Sequence, residues 1–496
     1  LEAKPPFKLT SLQANLISLL LVGSVMAALL VLSIGYRYTA FGILALAGMV
    51  AAGLAAAIFI LPQLGAYILV VSIFTNVSSL LTDQGWPGIN KPLVALVFMS
   101  IVAHHLFYRT PLLPLKRTEW FMLAYGGVWL ASLFVAKDQD RVIERVIDFA
   151  KDFGILLCIV YPLASRPEAW RRTLWLIILA AAILAGLGAY QVLSGNTDQT
   201  FFNFSKFIQG QIAEGIEDRG RLSGPVDDPN VYGQILVAVL PLAIYRLLDE
   251  QRLILRLVAG IAALLFVFAI FNTYSRGAFL AMLLILLLIA LQQRVRLSLI
   301  ALVIIVALIM QPLLPVGFAE RLETLSIFTS EEGSVHSEVS FRGRSSEMLT
   351  GLHIFADNPL LGVGVGNYIV HYQDYASRLG LEQRTEDRQA HSLYVETAAE
   401  TGILGLITFG GLMISLLVGL AQAHRKLRVL SNDPHWASWI ASLQLSVIAY
   451  LTSSIFLHGD YIRYLWLFVA LGVAMIHLSD NLAARAQPQI LAGVNR

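Results

Sequence analysis

Cysteine occurs once in 496 residues, at Cys158 inside an apolar stretch. A lone thiol excludes an intrachain disulfide framework and a cysteine-built zinc site. Charge is scarce too. Asp, Glu, Lys and Arg make up 14% of the chain, against about a quarter in soluble domains. Internal repeats, low-complexity tracts and a second soluble domain are all missing. Hydrophobic residues, by contrast, reach 57%, and the mean hydropathy is +0.70. That much apolar surface cannot be hidden in a water-soluble core. The chain therefore reads as an all-α polytopic membrane protein. The net charge of +2 says little, because the location of charge decides orientation. No segment resembles a cleavable signal peptide. Lys4 and Lys8, followed by an apolar run, read as a first transmembrane helix with its N-terminus inside.

Hydropathy predicts up to fourteen spans, at 11–34, 40–61, 64–81, 92–108, 118–136, 152–165, 173–194, 230–248, 253–272, 277–292, 297–314, 402–422, 436–457 and 461–479. The sixth borrows residues from 142–151. An even number puts both termini on one side. Basic clusters fall on alternate connections: Arg109/Lys116/Arg117, Arg166/Arg171/Arg172, Arg252/Arg256, Arg294/Arg296 and Arg425/Lys426/Arg428. The positive-inside rule makes those connections, and both termini, cytoplasmic. Most connections are short. The exception is 315–401, and loops of that length are functional or disordered. This one carries a helix-like stretch from Arg344 to Asp357, a glycine-rich turn at 359–368, and a second helix-like stretch from Tyr368 to Leu379. An ordered cap over the outer face is expected.

Several segments tempt a chemical reading. Gly362, Gly364 and Gly366 follow Asn358-Pro359, a helix stop signal, and lack the spacing of a dinucleotide loop. A tight turn with close backbone packing is the better reading. Asp227 and Asp228 do not by themselves make a coordination sphere. Asn230 is the expected cap of the helix that follows, with Pro229 enforcing the turn. The histidines at 336, 353, 371 and 391 lack an i,i+4 zinc pairing. No metal and no cofactor are expected.

The arginines say more. Arg219, Arg221, Arg276, Arg342 and Arg344 all fall on the outer face of this topology. A boundary arginine can be a snorkelling anchor. Three separated segments bringing arginine to one level point further, to an anionic headgroup such as a lipid diphosphate, which the guanidinium fork matches. Arg344 sits in the first turn of its expected helix, where a cation opposes the macrodipole. His391 ends the polar loop directly before Ser392, the expected cap of the next helix. Imidazole, with a pKa of about 6.5, is mostly neutral at neutral pH and able to accept a proton. The helix N-terminus, Arg384 and Arg388 would disfavour its protonated form. Glu396 or Glu400 are candidates to orient the ring. A capping or interfacial histidine is the plain alternative.

These residues resemble the O-antigen ligase and polymerase superfamily of bacterial membrane glycosyltransferases. The ligase pattern is matched by His391-Ser392, nine residues, Gly402, Ile403-Leu404 and Gly405. RLSGPVDDPNVYGQILVAVLPLA at 221–243, TYSRGAFLAM at 273–282 and RSSEMLTGLHIFADNPLLGVGVGNY at 344–368 are also similar to family segments. The resemblance covers about 221–421. It divides the chain into N-terminal transmembrane helices (1–220), a catalytic region with the periplasmic loop (221–421) and C-terminal transmembrane helices (422–496). It implies a GT-C-like fold of about 12–14 spans in the bacterial inner membrane, twelve being typical of the ligases, with a periplasmic active site. The implied donor is a glycan on undecaprenyl diphosphate. The implied acceptor is a lipid or a glycan, with membrane lipid around it and no nucleic acid partner. By motif, His391 would be the general base, and Arg221, Arg276 and Arg344 would hold the diphosphate. The transfer would be direct, inverting and metal-independent. The ligase reaction onto lipid A core leads. Polymerisation of a lipid-linked glycan and protein O-glycosylation remain open. A transporter or lipid flippase is the alternative of another class. Polar residues gathered at the outer face argue against it, and charge at the midplane would argue for it.

Overall fold

The computed structural model describes residues 39–110, 112–208, 220–293, 335–381, 389–430, 433, 435–457 and 463–494. Two expected spans, 11–34 and 297–314, lie outside the described residues, as do Arg219, Arg384 and Arg388.

The described chain is a helical bundle. Its helices are α1 (Thr39–Ile60), α2 (Pro62–Phe74), α3 (Val77–Asp83), α4 (Asn90–Tyr108), α5 (Arg117–Ala131), α6 (Gln139–Leu163) and α7 (Pro167–Ser194). A small antiparallel ribbon follows, β1 (Lys206–Ile208) with β2 (Arg221–Gly224). Then come α8 (Pro229–Asp249), α9 (Leu253–Asn272), α10 (Arg276–Gln293), α11 (Val335–Asp357), α12 (Tyr368–Arg378), α13 (Leu393–Leu430), α14 (His435–Ser453) and α15 (Arg463–Val494). Among the described residues, eight helices are long and apolar enough to cross a membrane, or nine if α1 and α2 form one span bent by 117°. The chain is thus an all-α polytopic membrane protein.

Local sequence explains the breaks. Pro62, Pro167 and Pro229 open helices, where a missing N–H costs nothing. The expected span 64–81 is two helices, because Asn76 adopts the left-handed region (φ 56°) between α2 and α3. The sixth span does draw on earlier residues: α6 begins at Gln139, with the Asp138 side chain capping Arg141 N. The helix expected from 402 starts at Leu393 and kinks at Gly402 (φ 63°).

The core is centred on α8, whose apolar window is 83% buried. It packs against α9 and α14. Such a helix is apolar all round because it has no lipid-facing side to spare. Gly233 brings its backbone against Ala278 and Thr273, a small-residue approach of the kind that replaces the hydrophobic drive inside lipid.

Polar contacts sort the helix ends into two faces. On one, Lys116 and Lys426 both pair with Asp480 at 2.7 and 2.5 Å, Arg171 pairs with Asp433, and His435 Nδ1 lies 2.8 Å from Asp249. Arg246 and Arg171 stack over Trp439 and Trp436 at 3.6 and 4.0 Å. Basic residues expected on the cytoplasmic connections meet here. The opposite face carries the ribbon, the start of α8, the α9–α10 turn, the glycine turn and His391.

Candidate active site

His391 stands in a bend directly before α13, at φ 46°. Histidine tolerates this region better than most side chains, although it remains uncommon outside glycine. Ser392 accepts the first helical bond, from Glu396 N, at 2.9 Å. The Leu393 amide, which a helix start leaves without an internal acceptor, donates to Leu457 O at 2.7 Å. The main chain that carries the imidazole is therefore fixed at a helix end. The ring Nε2 lies 3.3 Å from Oε2 of Glu347, with side chains 26% and 2% exposed. Glu347 comes from α11. Its backbone carbonyl accepts from the Tyr368 hydroxyl at 2.6 Å, and Tyr368 N donates to Glu400 Oε1 at 3.2 Å. Burial, and then the Glu347 charge, raise the Tyr368 pKa, so its hydroxyl keeps its proton. The carboxylate beside the ring is thus Glu347, and Glu400 anchors Tyr368 instead. Sequence reasoning missed Glu347, because 44 positions separate it from His391 and helical periodicity reports no partner across a fold.

The glycine turn positions all of this. Val363 N and Gly364 N donate to the carbonyls of Ala399 and Glu400 at 3.0 and 2.9 Å, and Ile403 N donates to Pro359 O at 2.8 Å. A Cβ on Gly362 would fall 2.3 Å from the Glu400 carbonyl carbon, and one on Gly402 would fall 2.3 Å from Leu360 O. Two backbones thus meet face to face at the kink, which only glycine permits. The expected close packing is what the turn provides.

Arg221 opens β2. Its Nε donates to Thr273 O at 3.0 Å and its Nη2 to Asn230 Oδ1 at 2.9 Å. The expected cap is corrected here: Asp228, not Asn230, caps α8, accepting from Asn230 N at 2.7 Å. Asp227 pairs with Lys206 at 2.8 Å, so each of the two adjacent carboxylates has a structural partner. Arg276 begins α10, three residues after the Thr273 that Arg221 holds. Gly277 packs on Phe456, the neighbour of Leu457, whose carbonyl takes the Leu393 amide. A continuous run of contacts therefore joins the Arg221–Arg276 corner to the base of His391. Arg344 lies in α11, three residues before Glu347. The helix begins at Val335, so Arg344 is not in its first turn, and the dipole penalty expected there disappears. Its side chain lies outside the described ones.

A cavity of about 1010 Å³ opens on the other flank of α13. It is lined by Leu393, Glu396, Thr397 and Glu400 from that helix, by Lys91 of α4, and by α6 residues from Arg145 to Ile155. The sequence sets the sixth span apart from the others in carrying charge, and α6 is that span. The depth of its charges follows from packing. Cys158 Sγ lies 3.6 Å from Val94 O, and α6 runs parallel to α4, the early residues of both lining one cavity. Four residues up from Val94 is the start of α4, about 6 Å away at 1.5 Å per residue. Asp152, six residues up from Cys158, is about 9 Å away on the same scale. Arg145, Asp148, Lys151 and Asp152 therefore stand level with the Asn90 end of α4 or beyond it.

The family model for O-antigen ligase matches residues 261–410. That match supports membership of the O-antigen ligase superfamily. The matched region holds Arg276, Arg344, Glu347, the glycine turn, His391 and Gly402, and it covers less than a third of the chain. Arg221 and the rest of the 221–243 segment precede it. No curated protein matches the chain. The match supports a function of the ligase or polymerase type, and the apolar helices support a multi-pass membrane protein.

Proposed function

We propose that this superfamily member is an O-antigen ligase-like glycosyltransferase, moving a glycan from undecaprenyl diphosphate to an acceptor hydroxyl, in the first instance lipid A core, at the periplasmic face. The observation that carries the reading is the His391 ring, set at a helix start with a buried carboxylate 3.3 Å from one nitrogen. An ionised Glu347 favours the tautomer with hydrogen on Nε2. That leaves Nδ1 to accept the proton of the acceptor hydroxyl. The hydroxyl oxygen then forms its bond to the anomeric carbon while the bond to the diphosphate oxygen breaks. Undecaprenyl diphosphate leaves with the electron pair, and direct attack inverts the centre. Arg221 and Arg276 stabilise the growing charge on the leaving group. Arg344 is a third candidate for the same diphosphate. With so good a leaving group, a base and fixed positive charge suffice without a metal or a general acid.

Charge in the α6 cavity does not favour the transporter reading. Its lining includes Lys91 at the start of α4 and Leu393 at the start of α13, and none of the ion pairs of the opposite face contributes to it. Alternating access needs a site reachable from both faces near the midplane.

The test is a product assay with purified protein and a diphosphate-linked glycan, with and without lipid A core. A single glycan on the core establishes the ligase. A ladder of longer lipid-linked glycans without core establishes the polymerase instead. His391→Ala should lower transfer by about 10²–10⁴-fold. Near-normal turnover in that variant removes histidine from the base role.

A further inference from the structure

The cavity beside α13 is built from helices far apart in sequence, and it holds none of Arg221, Arg276 and Arg344. Two features describe what it would take. The first is polar groups waiting for a partner. The indole nitrogen of Trp466, in a residue 3% exposed, has no hydrogen-bond partner among the described residues, and that of Trp129, 9% exposed, has at most the Tyr125 hydroxyl. Both rings line the cavity. An indole N–H can only donate, and a buried donor left unmatched calls for an acceptor. The rings sit in an aromatic cluster around Phe149, at 5.1 Å from Trp129 and 5.8 Å from Trp466.

The second feature is balance of charge. The lining supplies four cations, Lys91, Arg145, Lys151 and Arg463, and four carboxylates, Asp148, Asp152, Glu396 and Glu400. Lys151 and Asp148 already pair at 2.7 Å. A polyanion would be drawn to the four cations but repelled by the four carboxylates. A ligand whose groups both donate and accept satisfies the donors and the acceptors alike. Hydroxyl-rich sugars have that chemistry, with C–H faces for an aromatic floor.

We infer that this cavity binds the uncharged, hydroxyl-rich part of a glycan. On the transferase reading it holds the acceptor sugar, delivered to His391 from the flank opposite the arginine corner. Only the word acceptor rests on that reading. The Glu400–Tyr368–Glu347 chain of contacts joins the cavity wall to the imidazole.

The test uses full-length protein in lipid nanodiscs and two probes with the same tail, hexyl β-glucoside and hexyl phosphate, titrated by calorimetry. The glucoside should bind saturably and more tightly than the phosphate. A Trp129→Phe/Trp466→Phe double variant keeps both aromatic rings and loses both donors, so glucoside binding should weaken about tenfold. Glu396→Gln, nearly isosteric, should also weaken it, and carries the test if the double variant does not fold. Phosphate binding as tight as glucoside binding, or glucoside binding indifferent to both the Trp double variant and Glu396→Gln, overturns the proposal. Normal transfer by His391→Ala would remove the base role and leave the glycan site standing. Lost transfer in that variant, with no glucoside bound by the unmodified protein, would remove the glycan site alone.

Discussion

At the scale of single residues, the informative pair is His391 and Glu347. A carboxylate beside an imidazole favours its protonated form. Glu347→Gln keeps the shape and removes the charge. The acid limb of the pH–rate profile should then move to lower pH, because the neutral base persists further into acid. The plateau should fall by about 10–100-fold, the worth of a charge-assisted contact to the developing imidazolium. A buried carboxylate with only a packing role would lower the plateau through lost protein and leave the limb where it was. Arg221 needs a different design. Its two hydrogen bonds to Thr273 and Asn230 hold the ribbon to the bundle, so Arg221→Ala should cost stability of roughly 0.5–1.5 kcal/mol per bond besides any effect on donor use. Arg276→Lys is the cleaner probe. Lysine keeps the charge and lacks the fork, so donor KM should rise while the melting temperature stays put. An unchanged donor KM and rate would make Arg276 a lipid anchor.

Among the elements, the kink at Gly402 and the glycine turn form one device. Gly402→Ala must place a methyl in a left-handed residue, which costs about 1–2 kcal/mol, and must push it against the Leu360 carbonyl. The expected result is a loss of stability above that figure, read as a lower melting temperature, with His391 displaced and transfer lost. Helix α12 offers a pH test. Burial, and then the Lys137 charge, lower the His371 pKa. The unfolded segment therefore takes up a proton at higher pH than the folded one. Stability conferred by the neutral ring is present above the unfolded value of about 6.5 and is lost as pH falls through the folded one. Amide exchange across 368–378 should speed up on acidification, and His371→Gln should flatten that dependence. The elements were largely legible beforehand. Tyr368 to Leu379 was expected as a helix and runs Tyr368–Arg378. The turn was expected to pack closely, and it does. Where α11 begins was not legible, since 335–343 is polar and carries no apolar stripe to mark a buried face.

For the whole molecule, what the sequence conveyed was order and sidedness. Hydropathy gives the order of spans because each is a local property. The basic clusters gave the two faces, and Lys116, Arg171 and Lys426 do meet carboxylates on a common side. The cavity was illegible for the opposite reason: its walls come from segments hundreds of residues apart, and each charge looked like an isolated exception. The same division supports a last prediction. The lone cysteine is buried, so a Cys158→Ser background should be silent to an impermeant maleimide. Asp198→Cys then reports the His391 face, since its loop meets the ribbon that carries Arg221. Gln251→Cys reports the face of the basic clusters. On spheroplasts, Asp198→Cys should label directly and Gln251→Cys only after permeabilisation. The reverse pattern would put His391 in the cytoplasm. A base there could not meet an acceptor exposed only in the periplasm, and the transfer reading would have to give way however well the site is built.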